Sequence, residues 1–271
     1  MHTVLAATAA LLACAFAMLT FERYLTQRRR HELMWTIALV MFALGSLGLW
    51  LGAAIGWSEW TFKTFYLFGA ILNVPFLALG TVYLLLNRRV ADQTAAVVSL
   101  LAAFAAGVVV AAPLIGVIDA NVLPQGSAVF ALGPRIAAGV GSGVAAVVII
   151  AGAVWSAIQL LVGRRRSHWV GTTTVPAGRL AAANLLIAAG TLVLSAGGLL
   201  NSVVDEMNAF AISLVVGIAV IFAGFLLTMT GTPTTPGVRG SIGPGLTEPT
   251  LDDYTASPPA TPATASTTVV V

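Results

Sequence analysis

Apolar residues run in seven long stretches along the first 230 positions, at about 3–20, 34–55, 64–86, 95–118, 136–162, 180–200 and 209–228. None of the seven holds an Asp, Glu, Lys, Arg or His. All but the first, which is slightly short, reach the ~20 residues that cover ~30 Å of hydrocarbon at ~1.5 Å of rise per residue. Lipid offers backbone groups no hydrogen-bond partner, so a spanning segment is either a helix or a strand of a closed barrel. Barrel strands are about ten residues long and alternate in polarity; these stretches do neither. The expected fold is all-α, a polytopic membrane protein with seven transmembrane helices in one domain over residues 1–230.

The polar positions between the stretches predict orientation. The segments after the first, third and fifth stretches carry Arg23, Arg28, Arg29, Arg30, Arg88, Arg89, Arg164, Arg165, Arg166 and Arg179. The segments after the second, fourth and sixth carry only Lys63 and Arg135, beside Glu59, Asp119, Asp205 and Glu206. Cations stay on the cytoplasmic side, so the N-terminus is expected outside and the C-terminus inside. Tyr24, Trp35, Tyr83 and Trp169 then fall at cytoplasmic ends, and Trp50, Trp57 and Trp60 at outer ends, as an interfacial belt. Leu11-Leu12-Ala13-Cys14 approximates a lipoprotein signal, but the arginines follow this apolar run instead of preceding it, which favours a retained helix.

Residues 231–271 differ in kind: they hold seven of the twelve prolines and ten threonines, with Arg239 the sole cation. Such a segment buries too little apolar surface to offset chain entropy, and a disordered cytoplasmic tail is expected. Its Thr-Pro steps and Asp252-Asp253-Tyr254-Thr255 are candidate phosphate acceptors, set against the simpler expectation of an inert solvated tail.

Composition agrees with the membrane class. Hydrophobic residues make up 58% and charged residues 8%, with a mean hydropathy of +0.96, where a soluble domain carries about 25% charged residues. The pI near 9.5 reflects loop arginines that set topology, and no nucleic-acid partner is expected. The single Cys14 provides neither a disulfide framework nor a thiolate metal site. Twelve arginines against one lysine, with abundant Ala, Val and Gly, suggest a GC-rich bacterial genome and hence a bacterial plasma membrane.

Few motifs carry chemistry. Gly48, Gly52 and Gly56 form a GxxxGxxxG ladder, and Gly139 and Gly143 head a similar small-residue row with Ala137, Gly141 and Ala145. Both rows predict close helix packing, within the bundle or between two copies, since the physics is the same. Asn73 and Pro75 interrupt the third stretch, where proline removes a helical hydrogen bond and bends the helix. Asn184, Thr191 and Ser195 share one helix face by spacings of seven and four, and Ser213 lies at similar depth. Asn73, Asn184, Thr191, Ser195 and Ser213 are therefore the candidate ligand-binding residues, with ordinary interhelical hydrogen bonding as the alternative. Arg28, Arg29, Arg30, Arg164, Arg165 and Arg166 are placed to attract anionic lipid, by ~1 kcal/mol per charge.

Absences narrow the function. The only lysine, Lys63, is far from the seventh stretch, which excludes a retinal Schiff base there. Ion-coupled pumps need intramembrane ionisable groups, and haem needs histidines within spans; neither is present. Gly141-Ser142-Gly143 lacks both the G-x-S-x-G spacing and a histidine at depth. His31 with Glu32 and His168, or Glu59 with Asp119, Asp205 and Glu206, are thin metal sets, and no metal or cofactor is expected.

The run Arg30-His31-Glu32-Leu33-Met34-Trp35, then Gly56-Trp57, Phe65-Tyr66-Leu67-Phe68-Gly69, Asn73-Val74-Pro75 and Ala78-Leu79-Gly80-Thr81-Val82-Tyr83-Leu84, resembles a group of uncharacterised integral membrane proteins of actinobacteria. The resemblance covers the second and third spans and implies a cell type but no activity. The expectation is a non-enzymatic scaffold or sensor-like subunit that binds a lipid, a small ligand or a partner within the bilayer. Its expected partners are the lipid bilayer and a second membrane protein or second copy. The alternative is a facilitative transporter of a small uncharged solute.

Overall fold

The computed structural model describes residues 2–161, 169–170, 173–174, 177–203, 207–229 and 232–233. The described residues form seven long helices: α1 (His2–Gln27), α2 (Arg30–Ile55), α3 (Glu59–Leu85), α4 (Arg88–Ala111), α5 (Leu132–Leu161), α6 (Ala177–Val203) and α7 (Met207–Met229). Six are long and apolar enough to cross a membrane, and α6 contributes a shorter apolar stretch, Ala181–Gly197. This is the architecture of a multi-pass helical membrane bundle. The expected tail at 231–271 lies outside the described residues, except that Thr232–Pro233 pairs antiparallel with Thr173–Thr174, which pairs in turn with Trp169–Val170.

Local chemistry explains the boundaries. Gly56 ends α2 at φ +99°, a conformation that glycine adopts without strain. Ser58 then starts α3 with a capping box: its Oγ accepts from Thr61 N at 3.3 Å, and Thr61 Oγ1 accepts from Ser58 N at 2.8 Å. Asn87 Oδ1 accepts from Val90 N at 3.0 Å and starts α4. The fourth helix occupies Arg88–Ala111, earlier than the expected 95–118, because Pro113 forces the residue before it out of helical geometry. Residues 112–131 instead fold over one end of the bundle, where Ala120 O accepts from Trp57 N at 2.9 Å and Val129 O accepts from Ile115 N at 3.0 Å.

Helix contacts run α1–α2–α3–α5–α6–α7 and back to α1, closing a ring, with α4 outside it against α3 and α5. On one side of the ring Phe16 of α1 packs with Phe222 and Phe225 of α7 at ring-centroid distances of 5.0 and 4.8 Å. The two ends of the bundle differ. At the tryptophan-rich end Trp57 is buried against Gly52 and does not join an interfacial belt, and Phe62 stacks on Phe130 at 5.2 Å. Lys63, expected in a loop, is a buried residue of α3: its Nζ lies 2.8 Å from Glu59 and donates to Val110 O at 3.0 Å, satisfying a carbonyl at the end of α4.

At the arginine-rich end Glu32 is fully buried in the first turn of α2. Arg23 of α1 lies 3.1 Å from its carboxylate, and His31 Nε2 lies 3.6 Å away. The Arg23 guanidinium also sits 4.9 Å over the Phe225 ring. Above the pair, Thr36 Oγ1 donates to Thr20 Oγ1 at 3.0 Å. One ion pair thereby ties α1, α2 and α7 together.

Removing one partner of a buried pair costs about 3–5 kcal/mol, whereas replacing both by apolar groups is close to neutral. Arg23→Ala is expected to destabilise the bundle by about that amount, and Arg23→Met with Glu32→Leu to recover most of it. Denaturation of the purified variants in detergent, followed by circular dichroism, checks both.

Candidate functional site

The ring of helices encloses a cavity of about 610 Å³, lined by α2, α3, α5, α6, α7 and the segment 124–127. Small side chains make the space. On α5 the lining face is Ala138, Gly139, Ser142, Gly143 and Ala146, spaced as one helical stripe. Opposite, Gly45 of α2 and Gly69 of α3 touch backbone to backbone; a Cβ on Gly45 would meet Gly69 Cα at 2.7 Å.

The α3 wall of the cavity is irregular. From Phe65 to Leu72 its backbone widens into a π-helix, a local geometry that recurs at functional sites. Pro75 has no N–H to give to the preceding turn. The Oδ1 of Asn73 accepts from Val74 N at 2.7 Å, drawing off a second donor. The carbonyl of Ala70 is met from another helix instead: Ser142 Oγ of α5 donates to it.

Three of the five expected polar residues meet in this cavity: Asn73, Thr191 and Ser195. The Thr191 hydroxyl donates to Ile187 O at 2.8 Å and Ser195 to Thr191 O at 2.9 Å, so both present oxygen lone pairs to the cavity. Asn73 is only 8% exposed, and among the described residues nothing accepts from its Nδ2. Ser46, 3% exposed, also lines the cavity, and its hydroxyl has no partner among the described residues. Tyr66, Gln125, Ser127 and Arg135 complete the polar lining toward the tryptophan-rich end. Arg135 is the sole charged residue among the described residues of the lining.

The other two expected residues go elsewhere. Asn184 shares the face of Thr191 but lies two turns nearer the arginine-rich end, where α5 presses on α6; its Nδ2 donates to Ser156 Oγ at 2.8 Å. Ser213 donates to Phe210 O at 2.7 Å and packs tightly on Gly197. Asn184 borders a second, smaller cavity of about 60 Å³, and Leu39, Leu77 and Ile221 line both cavities.

The glycine rows divide as well. A Cβ on Gly48 would press on Phe65 at 3.0 Å and one on Gly52 on the Trp57 ring at 2.5 Å, so both serve packing inside this chain, while Gly56 ends the helix. Gly139 and Gly143 line the cavity instead, with no described atom within 4 Å of where a Cβ would stand. Of the arginines, Arg30 pairs with Asp92 at 2.5 Å, which also accepts from Tyr83 at 2.7 Å. The Arg28 guanidinium lies 5.9 Å from the Tyr24 ring centre. Arg164, Arg165 and Arg166 lie outside the described residues, as do Asp205 and Glu206. Among the described residues no three His, Cys, Asp or Glu side chains gather in a metal-binding group.

Ser46, Ser142 and Arg135 are not among the candidates drawn from the sequence. Arg135 and Ser142 are seven residues apart and so share a face of α5, a signal legible beforehand. Ser46 carries none.

Comparison with known proteins finds no matching family model, no matching curated protein and no matching solved structure.

Deleting the Ser142 donor strands the Ala70 carbonyl, and Ser142→Ala is expected to cost about 1–3 kcal/mol. Restoring a backbone donor with Pro75→Ala is expected to shrink that cost. A double-mutant cycle of denaturation in detergent checks the coupling.

Proposed function

We propose that this is a non-enzymatic membrane protein that binds a lipid or small amphipathic ligand in its central cavity. The observation that carries the reading is the cavity itself. Its volume falls within the ~300–1,000 Å³ of small-molecule sites, and its lining pairs many apolar groups with few convergent polar ones, as such sites do. The contrast between the arginine-rich and tryptophan-rich ends supports a plasma-membrane orientation with the N-terminus outside, which opens the polar end of the cavity to the outer face. A sensor or scaffold role follows if the bound state is read by a partner or by the cytoplasmic tail.

A facilitative transporter is the second reading. The two cavities lie one beneath the other, separated by Leu39, Leu77 and Ile221, as a path closed by a thin apolar barrier would be.

Native mass spectrometry of the protein extracted in mild detergent tests the binding reading. A stoichiometric small molecule is expected on the wild type and is expected to be lost in Gly143→Leu, whose Cβ would meet no described atom within 4 Å. A bare wild-type chain counts against binding. For transport, glycerol uptake by proteoliposomes is expected to exceed that of empty liposomes and to rise further in Leu77→Ala. Equal uptake in all three removes the second reading.

A further inference from the structure

We propose that the central cavity takes a single-chain anionic amphiphile that enters sideways from the lipid, with its head on Arg135 and its chain directed toward Leu77 and Ile221. The proposal rests on the binding reading above and names the class of ligand.

The head position follows from charge. Arg135 is exposed at the tryptophan-rich end of the cavity, and among the described residues no carboxylate lines the space. The two described acids at that end are engaged elsewhere: Glu59 with Lys63 at 2.8 Å, and Asp119 Oδ1 accepting from Asn121 N at 2.9 Å. Arg135 has no ion pair among the described residues. A guanidinium stays charged and matches the fork of a carboxylate or phosphate. Arg135 also stands in the first turn of α5, whose unpaired N–H groups and positive dipole end favour an anion at the same place.

The chain position follows from depth. The Ser142 bond sets Ser142 of α5 level with Ala70 of α3. At ~1.5 Å per residue, Arg135 then lies about 10 Å from that level on one side, and Asn73 about 4 Å on the other. Between and below them the walls are Phe42, Phe65, Leu214 and Ile218. The unused hydroxyl of Ser46 and amide of Asn73 suit one carbonyl or hydroxyl along a mostly apolar chain. No second charge is accommodated at that depth.

The route follows from the two ends of α5. Near the arginine-rich end Ala153 and Ala157 are buried, and Ser156 is bonded to Asn184 of α6. Toward the other end Gly139 and Gly143 line the cavity yet are exposed, beside the exposed Val140 and Val144. The cavity therefore reaches the lipid-facing surface along the Gly139–Gly143 edge.

The test uses the full chain in phosphatidylcholine nanodiscs, with palmitic acid carrying a photoactivatable diazirine near its tail end, and the matching palmityl alcohol. One charge-assisted hydrogen bond corresponds to about tenfold in binding. The acid is expected to label the wild type about tenfold more than the alcohol, with adducts near Leu77 and Ile221. Arg135→Gln is expected to bring the acid down to the alcohol's level and leave the alcohol unchanged, and Gly143→Leu to reduce both. Equal labelling by acid and alcohol in the wild type, or an unaltered ratio in Arg135→Gln, overturns the anionic site while leaving the binding reading standing. Loss of acid labelling to millimolar inorganic phosphate overturns the amphiphile in favour of a free anion. Absence of any cavity adduct from either probe, in protein whose circular dichroism shows an intact helical fold, overturns both readings.

Discussion

A peptide group inside hydrocarbon must find its hydrogen-bond partner within the protein, and this bundle is arranged around the places where the helical ladder fails to supply one. Pro75 removes a donor from the middle of α3, the backbone ahead of it widens over Phe65–Leu72, and Ser142 reaches across from α5 to the Ala70 carbonyl. That single cross-helix bond holds α5 against α3 at the level of the cavity. At the end of α4 the same constraint recurs, met there by the Lys63 ammonium on Val110 O. A lysine at that position is tolerable because Glu59, one turn earlier on the same helix, neutralises it.

Glycine does two opposite things in this fold. Gly45 and Gly69 let α2 and α3 meet backbone to backbone, and Gly190 and Gly217 do the same for α6 and α7, where a Cβ on Gly190 would stand 2.7 Å from Gly217 O. Close approach of this kind supplies van der Waals contact that lipid cannot displace. Gly139 and Gly143 are the reverse case: they bring no helix near and leave space that a larger side chain would fill. The cavity is thus bounded by glycines that pack and opened by glycines that do not.

Charge is distributed with a similar division. Toward the arginine-rich end it is spent inside the structure, in the Arg23–Glu32 pair and in the Arg30–Asp92 contact with Tyr83. Toward the other end Lys63 is paired with Glu59, while the Arg135 guanidinium lines the cavity with no acid among the described lining residues. A cation left in that position beside an apolar space is an open valence that an anionic amphiphile completes.

The one-dimensional pattern determined the helical class, because period and length are properties of contiguous residues and lipid permits few alternatives. It also marked Asn73, Asn184, Thr191, Ser195 and Ser213 as candidate ligand-binding residues, and Asn73, Thr191 and Ser195 line the cavity. Tertiary structure alone decided the rest. Asn184 lies on the face of Thr191 yet is bound to Ser156, because which helix stands opposite at each level depends on how α5 and α6 cross. Gly48 and Gly139 look alike as sequence, and only their neighbours separate a packing contact from a void. Ser46 acquires meaning only from the cavity-lining groups of other helices, and although spacing puts Arg135 on the face of Ser142, only the tertiary structure turns that face toward a cavity.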